Sequence, residues 1–487
     1  MSNLFLKSYF NGNSRLKNCF LLSLSVKLIL LKFSKTGRII SMKNEHKDVE
    51  LNRSLGLWSA LSLVVGTIIG VGIFVRQSAV LDDAGSTTGA LLAWLAGGII
   101  TLTAGLTIAE IASQMPETGG LYVYMEKLYG KLWGFLSGWM QIIIYGPAMI
   151  ASLGAYLSLL LIDFFHIPHS WTIPIALIAI IAVGILNMFS NRYGAGFAII
   201  TTVCKLLPVA ALVIFGLFFG DQSAFGHSIA QVHQSTGGFG VAILATLFAF
   251  DGWILVANLG GEIKNPSKRL PQAIVFGILL VLVIYLLVTF GVFRSIPAQK
   301  IHDLGTGAIP YMANKDFGPI GGKILSIGII ISIVGCMNGK IMTFPRIMYA
   351  MAKDKELPFQ RILAYLSPTT RTPIWCTVVT LVIAGIMIVF FDADRLSELC
   401  IFTVYCFYVM AFFGPTILRK RNPNAHRVFS IPLYPLTPII AILGSLFVIV
   451  SEIMSDFHGV LLSFIFVIIG IPVFYYQMHK QAKGNER

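Results

Sequence analysis

Long apolar segments separated by short polar ones run through most of this chain. Each segment is close to the roughly 20 residues that a helix needs to cross a bilayer, and this repeated pattern is typical of a polytopic membrane protein. It predicts about twelve membrane spans. They fall at residues 55–81, 88–112, 131–161, 171–189, 194–219, 238–260, 271–293, 322–350, 374–391, 396–418, 431–454 and 457–478.

The first predicted span contains a cluster of glycines, Gly66, Gly70 and Gly72. Each glycine costs a helix about 1 kcal/mol relative to alanine, and backbone groups released in hydrocarbon are tolerated only where they line a cavity or are buried in protein. We therefore expect the helix to break around Gly70–Gly72 and to turn bare amides toward an anionic ligand group. The alternative is that the glycines only allow two helices to pack closely.

Asp251 lies in the middle of the sixth predicted span and is followed by Gly252. A carboxylate at bilayer depth is costly, so it should face a cavity or a partner, and this dipeptide also interrupts the helix. The first and sixth spans thus break at the same position in two successive five-span blocks. Such a pairing indicates an inverted-repeat transporter with its site at the bilayer midplane, and it weakens the packing explanation.

The predicted fold is an all-α membrane protein with two inverted five-helix repeats, broken first and sixth helices, and two accessory helices. We expect a cytoplasmic N-terminal segment at 1–54, of which 1–41 is either an artefact of start assignment or a basic peripheral anchor. The remaining divisions are the two repeats at 55–219 and 238–418, the accessory helices at 431–478 and a cytoplasmic tail at 479–487.

Composition and charge agree with a membrane protein and set its orientation. Hydrophobic residues make up 56% of the chain and charged residues only 12%, whereas a soluble domain carries about 25% charged residues. Half of the net charge of +14 comes from residues 1–41, and the loops at 162–170, 220–237 and 455–458 contain no Lys or Arg. Basic residues favour the cytoplasmic side, so we expect both termini there, in a bacterial plasma membrane, and no nucleic-acid partner.

The sequence offers no pattern for catalysis or metal binding. Its six cysteines are scattered without a CxxC or Cys/His cluster, so neither a metal site nor a disulfide framework is indicated. No nucleophile–base constellation is apparent. We therefore expect neither an enzyme nor a cofactor.

Several motifs resemble the L-type amino acid transporter family of the amino acid–polyamine–organocation superfamily. These motifs are Gly66–Phe74, Glu110 with Pro116–Tyr122, Phe248–Trp253, Glu262–Pro266 and Pro345–Arg346. The similarity runs from about Asn52 to Met478. Two longer runs, Trp139–Pro147 and Ser430–Pro435, look like the bacterial serine/threonine exchangers of that family.

The resemblance implies two sets of peptide groups that bind the substrate. The carboxylate would be held by the backbone amides of Ile69, Gly70, Val71 and Gly72. The α-ammonium would be held by the carbonyls of Phe248, Ala249 and Asp251. An aromatic ring, Phe250 or Trp253, would close over the substrate. Relatives commonly carry serine at the position of Val71, so a hydroxyl contact is missing here.

Three further side chains are expected at or near the site. In the family, a lysine at the position of Lys205 stands where sodium-coupled relatives bind Na⁺, so it would tie the fifth helix to the broken first one; snorkelling to an interface is the alternative. Tyr145 precedes Gly146-Pro147 at a predicted kink, and its hydroxyl either reaches the site or only packs between helices. Asn338 is expected to form a hydrogen bond near the site.

The remaining intramembrane charges have more than one interpretation. The Asp251 carboxylate is expected to meet water or a partner, because an unpaired anion beside the substrate would select basic amino acids; direct binding of cationic groups is the alternative. Glu110 is expected to be structural, with Arg346 as one possible partner. Glu262 is expected at a helix end, and Lys340 in a water-filled vestibule.

The activity implied by the resemblance is sodium-independent, obligatory exchange of small neutral L-amino acids, with serine and threonine as expected substrates. Proton-coupled symport in the same fold is the alternative, and an amino acid receptor or channel is the alternative of another class. Eukaryotic members pair with a glycoprotein through a cysteine in the loop after the third span. The corresponding loop, Asp163–Ser170, has no cysteine, so no disulfide-linked partner is expected.

Overall fold

The computed structural model describes residues 53–189, 191–228, 238–368, 370–455 and 457–485. The predictions for the N-terminal segment up to residue 52 lie outside these ranges. Within them the chain is helical, and the only β-type pairing is two isolated bridges, Leu55 with Ile263 and Ser86 with Ser228. The prediction of an all-α fold is confirmed.

The described residues form α-helices joined by short turns. In chain order they are α1 (Leu57–Ile68), α2 (Gly72–Ala84), α3 (Thr87–Gln114), α4 (Leu121–Tyr129), α5 (Lys131–Met140), α6 (Gly146–Phe165), α7 (Thr172–Phe189), α8 (Asn191–Phe219), α9 (Gly238–Phe250), α10 (Pro266–Ser295), α11 (Ala298–Leu304), α12 (Ala308–Lys353), α13 (Gln360–Leu363), α14 (Ile374–Phe390), α15 (Ala393–Phe412), α16 (Gly414–Arg421), α17 (Leu436–Ser455) and α18 (Phe457–Asn485). Helical turns of other types are Gln141–Tyr145 (π), and His169–Trp171, Leu255–Glu262 and Gly305–Gly307 (3₁₀).

The long helices coincide with the apolar segments of the sequence. Ten helices of the described residues are long and apolar enough to cross a membrane, and the bent pair α1–α2 makes eleven. The ninth predicted span corresponds to α14, which is shorter at 17 residues. The eighth predicted span forms the second part of α12, whose backbone bends at Gly318 (φ 73°). The chain is therefore a multi-pass membrane protein.

The first span is broken where the glycines predict it. Helix α1 ends at Ile68, α2 begins at Gly72, and their axes differ by 43°. The glycines also pack closely, because a Cβ on Gly72 would lie 2.6 Å from the Ala249 Cα, and one on Gly70 would lie 2.8 Å from the Cys336 Sγ. The two explanations weighed from the sequence therefore hold together: the glycines interrupt the helix and bring the break against its neighbours.

The sixth span is broken at the predicted Asp251-Gly252 dipeptide. Helix α9 ends at Phe250, and after a turn the chain continues as the 3₁₀ segment Leu255–Glu262. Gly252 adopts φ 113°, a conformation that L side chains rarely adopt, and a Cβ there would lie 2.7 Å from the Thr67 carbonyl oxygen. The two breaks therefore face each other directly.

The helices around the breaks hold them in place. Helix α10 packs along α1 and α3, α8 packs along α12, and α9 packs along α2. In the third span, the interruption predicted at Gly146-Pro147 is a π-helical turn over Gln141–Tyr145, a feature often found at functional sites.

Candidate functional site

The first break presents backbone amides that the rest of the site does not use. Among the residues that the structure describes, the N–H groups of Gly70, Val71 and Gly72 have no hydrogen-bond partner. The Ile69 amide differs from the expectation, because it donates to the Val65 carbonyl at 2.9 Å. Three adjacent amides at the start of α2 form the kind of site that favours an anion.

The carbonyl end of α1 is capped by a lysine from the fifth span. Lys205 is fully buried, and its Nζ donates to the Gly66 carbonyl at 2.9 Å and to the Ile69 carbonyl at 2.6 Å. The last carbonyls of a helix lack internal partners and carry partial negative charge, so a cation satisfies both needs. Lys205 therefore joins α8 to the end of α1, in the geometry that the resemblance implies.

The Asp251 carboxylate is paired on both of its oxygens. Its Oδ2 lies 2.9 Å from the Lys340 Nζ, and its Oδ1 accepts a hydrogen bond of 2.6 Å from the Tyr145 hydroxyl. Both charged side chains are at most 3% exposed. This corrects the expectation of a water-filled vestibule around Lys340, and it places the Tyr145 hydroxyl against the carboxylate at the sixth break.

Backbone carbonyls at the sixth break are partly engaged by neighbouring groups. The Tyr285 hydroxyl lies 3.0 Å from the Ala249 carbonyl oxygen and 3.2 Å from that of Ile68, so it bridges the two breaks. The Phe248 carbonyl accepts from the Asp251 amide at 3.2 Å. Each carbonyl oxygen has two lone pairs, so these contacts leave acceptor capacity facing the break.

The aromatic rings near the break are arranged differently from the expectation. Phe250 is fully buried and packs on Tyr285, at 4.9 Å between ring centroids, while Trp253 packs on Tyr408 at 5.5 Å. The ring beside the cavity next to the breaks is Phe248, which carries the Arg76 guanidinium 5.0 Å from its centroid. Phe248 is therefore a further aromatic ring near the breaks, and closure of Phe250 or Trp253 over the substrate stays a prediction.

Asn338 is directed toward the seventh helix of the chain. Its side-chain oxygen accepts a hydrogen bond of 2.8 Å from Asn187 of α7. Positions two residues apart project to nearly opposite sides of a helix, and it is Lys340 that contacts Asp251. Lys340 thus connects α12 to the sixth break, and a hydrogen bond from Asn338 near the site stays a prediction.

Two further buried carboxylates have partners that differ from those expected. Glu110 accepts hydrogen bonds from Arg419 at 3.0 and 2.6 Å, and Arg427 lies 3.6 Å away. Arg346 instead lies 3.4 Å from Glu262, with both side chains 1% exposed. The suggested pairing of Glu110 with Arg346 is therefore wrong, and Glu262 forms a buried ion pair rather than a simple helix-end contact.

Tyr285 is the main residue of the site that sequence reasoning missed. It is fully buried in α10 and contacts both breaks. The available signal was a hydroxyl in an otherwise apolar span, since a buried tyrosine hydroxyl usually finds a polar partner. The sequence did not show which backbone groups would provide that partner.

Two facing helix breaks inside a bundle of membrane spans define the class of secondary transporters built on discontinuous helices. The family model described as "Amino acid permease" matches residues 55–474, and the chain belongs to this family. It is accordingly a transporter rather than an enzyme.

Individual relatives support the same classification. The serine/threonine exchanger of Bacillus subtilis (strain 168) is 47% identical over 438 residues, covering 90% of this chain and 99% of that protein. The cystine/glutamate transporter of Homo sapiens is 27% identical over 458 residues, covering 91% and 90%. The b(0,+)-type amino acid transporter 1 of Mus musculus is 29% identical over 419 residues, covering 85% of each chain.

Proposed function

We propose that this protein carries out sodium-independent, obligatory exchange of small neutral L-amino acids, with serine and threonine as the main substrates. The observation that carries the proposal is the pair of facing breaks, with bare amides on one side and backbone carbonyls on the other. A zwitterion has an anionic and a cationic end, and this arrangement matches both. The name of the relative from Bacillus subtilis supports the choice of substrates.

In this proposal the substrate carboxylate binds the amides of Gly70, Val71 and Gly72. The ammonium group binds carbonyls of the sixth break, with Asp251 and Ala249 closest to the turn. These peptide groups bind the α-carboxylate and the α-ammonium, which all amino acids share. Selectivity for the substrate side chain must therefore come from other residues. Val71 offers no hydroxyl at a position where relatives commonly have serine.

The ion pair between Asp251 and Lys340 supports a neutral substrate. A free carboxylate beside the substrate side chain would favour basic amino acids. Here the carboxylate is neutralised by Lys340 and also accepts a hydrogen bond from Tyr145.

Lys205 supports independence from sodium. Its ammonium contacts two carbonyls at the end of α1, and backbone carbonyls exposed by a break are the groups that bind Na⁺ in sodium-coupled transporters of this architecture. A lysine ammonium group tethered in this place can take the role of a bound ion. We therefore propose that transport is driven by the amino acid gradients alone.

We further propose that the protein lies in a bacterial plasma membrane with both termini in the cytoplasm and without a disulfide-linked partner. The distribution of Lys and Arg supports this orientation. The loop Asp163–Ser170 offers no cysteine for a covalent partner.

Counterflow in proteoliposomes tests the proposal. Vesicles with the purified protein are loaded with serine, with threonine, with arginine or with buffer alone, and uptake of external radiolabelled serine is followed with and without Na⁺. We expect uptake into vesicles loaded with serine or threonine, none into empty vesicles, and no effect of Na⁺. Uptake into empty vesicles accompanied by internal acidification would instead establish proton symport, and the absence of saturable counterflow would contradict a carrier.

A further inference from the structure

Ser332 of α12 contacts the carbonyl side of the first helix break. Its side chain is fully buried, and its hydroxyl oxygen lies 3.3 Å from the Ile69 carbonyl oxygen and 3.4 Å from that of Gly70. The Ile69 carbonyl already accepts from the Lys205 ammonium at 2.6 Å. Among the residues that the structure describes, Ser332 alone contributes a side-chain donor to the Gly70 carbonyl.

This contact differs from the usual bond of a serine inside a helix. A serine hydroxyl within a helix commonly donates to a carbonyl in the preceding turn of the same helix. Ser326 of α12 does so, with the Gly322 carbonyl as acceptor at 3.0 Å. The acceptors of Ser332 belong instead to the unwound segment between α1 and α2. Its hydroxyl therefore acts on the break rather than on α12.

The direction of a carbonyl group at the break fixes the direction of the amide that follows it. A trans peptide unit is planar, so its C=O and N–H groups point to opposite sides. The Gly70 carbonyl shares a peptide unit with the Val71 N–H, and the Ile69 carbonyl shares one with the Gly70 N–H. Because both carbonyls point toward Ser332 and Lys205, both amides point away from these side chains.

Packing leaves no room for a ligand between α12 and the break. Cys336 follows Ser332 by one helical turn on the same face of α12, and its thiol donates to the Thr67 carbonyl at 3.0 Å. A Cβ on Gly70 would lie 2.8 Å from the Cys336 Sγ and 3.0 Å from the Cys336 Cβ. A carboxylate can therefore reach the break only from the side to which the amides point.

The peptide unit after Gly70 needs an external contact to keep its direction. Glycine adopts a wider range of backbone conformations than any other residue, and Gly70 lies between the end of α1 and the start of α2, outside both helices. The local sequence alone therefore does not hold the Val71 N–H in one direction. Donors that are fixed before binding give a higher affinity, because less conformational freedom is lost when the ligand arrives.

We propose that Ser332 is a positioning residue for the substrate carboxylate. Its hydroxyl holds the Gly70 carbonyl and thereby directs the Val71 N–H, one of the amides proposed to bind the carboxylate. Ser332 itself does not touch the substrate. The inference rests on the proposed function and deepens it, because it names the side chain that orients the donors of the site.

The test compares three variants in proteoliposomes and in detergent. Ser332→Ala removes the hydroxyl, and Ser332→Cys keeps a weak donor. Ser326→Ala is the matched control, because it removes a serine hydroxyl from the same helix whose bond stays within that helix. Counterflow gives the KM for serine and the maximal exchange rate. Thermal unfolding at increasing serine concentration reports binding independently of transport.

We expect Ser332→Ala to raise the KM for serine by about tenfold, the order of effect of a weakened hydrogen bond to a charged group. The maximal exchange rate should stay close to that of the wild type, as for the loss of an interaction that substrate and transition state share. Stabilisation by serine should require a correspondingly higher concentration. Ser332→Cys should have an intermediate KM, and Ser326→Ala should match the wild type.

A purely structural role of Ser332 gives a different result. It would lower the unfolding midpoint without serine and reduce the maximal rate, while the KM and the serine concentration needed for stabilisation stay unchanged. A wild-type KM in Ser332→Ala therefore overturns the inference, as does an equal rise of KM in Ser326→Ala. If Ser332→Ala yields no folded protein, the KM of Ser332→Cys decides in the same way.

Failure of the proposed function would be seen separately, as a lack of serine counterflow in the wild type. The inference about Ser332 fails when the wild type exchanges serine and the variants bind it equally well. The two failures therefore cannot be confused.

Discussion

At the scale of single residues, the site is built from buried charges that neutralise one another or meet backbone dipoles. Asp251 is held by Lys340 and Tyr145, and Lys205 is held by the carbonyls of Gly66 and Ile69. A buried charge is tolerated only when it is paired and hydrogen-bonded, and each of these groups meets that condition. The result is that Asp251, Lys340 and Lys205 each have a partner within the protein.

Removing one partner of the Asp251 pair should therefore be costly. Lys340→Met leaves a buried carboxylate without its cation, a change that typically destabilises a protein by about 3–5 kcal/mol. We expect a clearly lower thermal unfolding midpoint in detergent and loss of serine exchange. The double variant Asp251→Asn/Lys340→Met leaves no uncompensated charge and should recover much of the stability. Equal midpoints for the single variant and the wild type would contradict the importance of the pair.

Lys205→Ala should separate transport from folding. The variant removes the cation from two carbonyls at the end of α1; the buried Gly66 carbonyl loses its side-chain donor, and the Ile69 carbonyl keeps only the Ser332 hydroxyl at 3.3 Å. We expect normal membrane insertion with exchange abolished or slowed by at least tenfold in counterflow. Lys323→Ala, at an exposed position of α12, serves as the control. Normal turnover of Lys205→Ala would overturn the proposed role.

At the scale of elements, the two breaks were predictable from the sequence, whereas the contacts between them were not. Glycines at Gly70–Gly72 and the Asp251-Gly252 dipeptide disfavour a continuous helix by local conformational cost, which is readable from the chain alone. The side-chain directions at a break follow no helical period, so the sequence could not show which of the nearby aromatic rings, Phe248, Phe250 or Trp253, lies beside the cavity. Tertiary packing decides that choice.

Ion pairs between residues far apart in the chain could not be predicted from the sequence either. Glu110 meets Arg419, which lies 309 positions further along the chain. The cost of burying a charge predicts that Glu110 needs a partner. The sequence places several basic residues at the same membrane face, and it does not show which of them pairs with Glu110. The partner is selected by how α16 and the following loop return to α3.

Gly72→Ala tests the close approach of the two broken helices. The added methyl group would lie 2.6 Å from the Ala249 Cα, so the backbones of α2 and α9 must separate. We expect exchange to fall by at least tenfold and the unfolding midpoint to drop. Gly56→Ala is the matched control, because a Cβ at Gly56 meets nothing within 4 Å. Wild-type exchange by Gly72→Ala would show that the tight contact is dispensable.

The contact between α4 and the turn after α12 should make stability depend on pH. Burial raises the pKa of Glu356 to about 8, with further contributions from Glu126 and Asp354, while Tyr122 and Lys131 act in the opposite direction. The folded protein then keeps a proton on this carboxyl between pH 4.5 and 8, where the unfolded chain has released it. Stability from this group is therefore lost as the pH rises across that range.

The variant Glu356→Gln should remove this dependence. We expect the wild-type unfolding midpoint to fall between pH 6 and pH 8.5 by more than that of Glu356→Gln, with the two proteins most alike at pH 6. Differential scanning fluorimetry in detergent measures both. Glu117→Gln, an exposed position on the same side of the molecule, is the control. Parallel curves for wild type and Glu356→Gln would contradict the assignment.

At the scale of the whole molecule, the contacts around the breaks describe one state of a transport cycle. The Leu55 amide donates to the Glu262 carbonyl at 3.0 Å, and the Lys264 amide donates to the Leu55 carbonyl at 2.9 Å. These bonds tie the start of α1 to the end of the sixth span, and the buried Glu262–Arg346 pair ties that end to α12. On the proposed orientation these contacts lie on the cytoplasmic side of the two breaks.

An experimental structure of the protein with bound L-serine tests the central claim most directly. The account predicts the serine carboxylate within hydrogen-bond distance, about 2.7–3.2 Å, of the amides of Gly70, Val71 and Gly72, and its ammonium at the carbonyls of the sixth break. A serine bound through side chains away from these two breaks, with residues 69–71 and 251–254 wound into continuous helices, would contradict it.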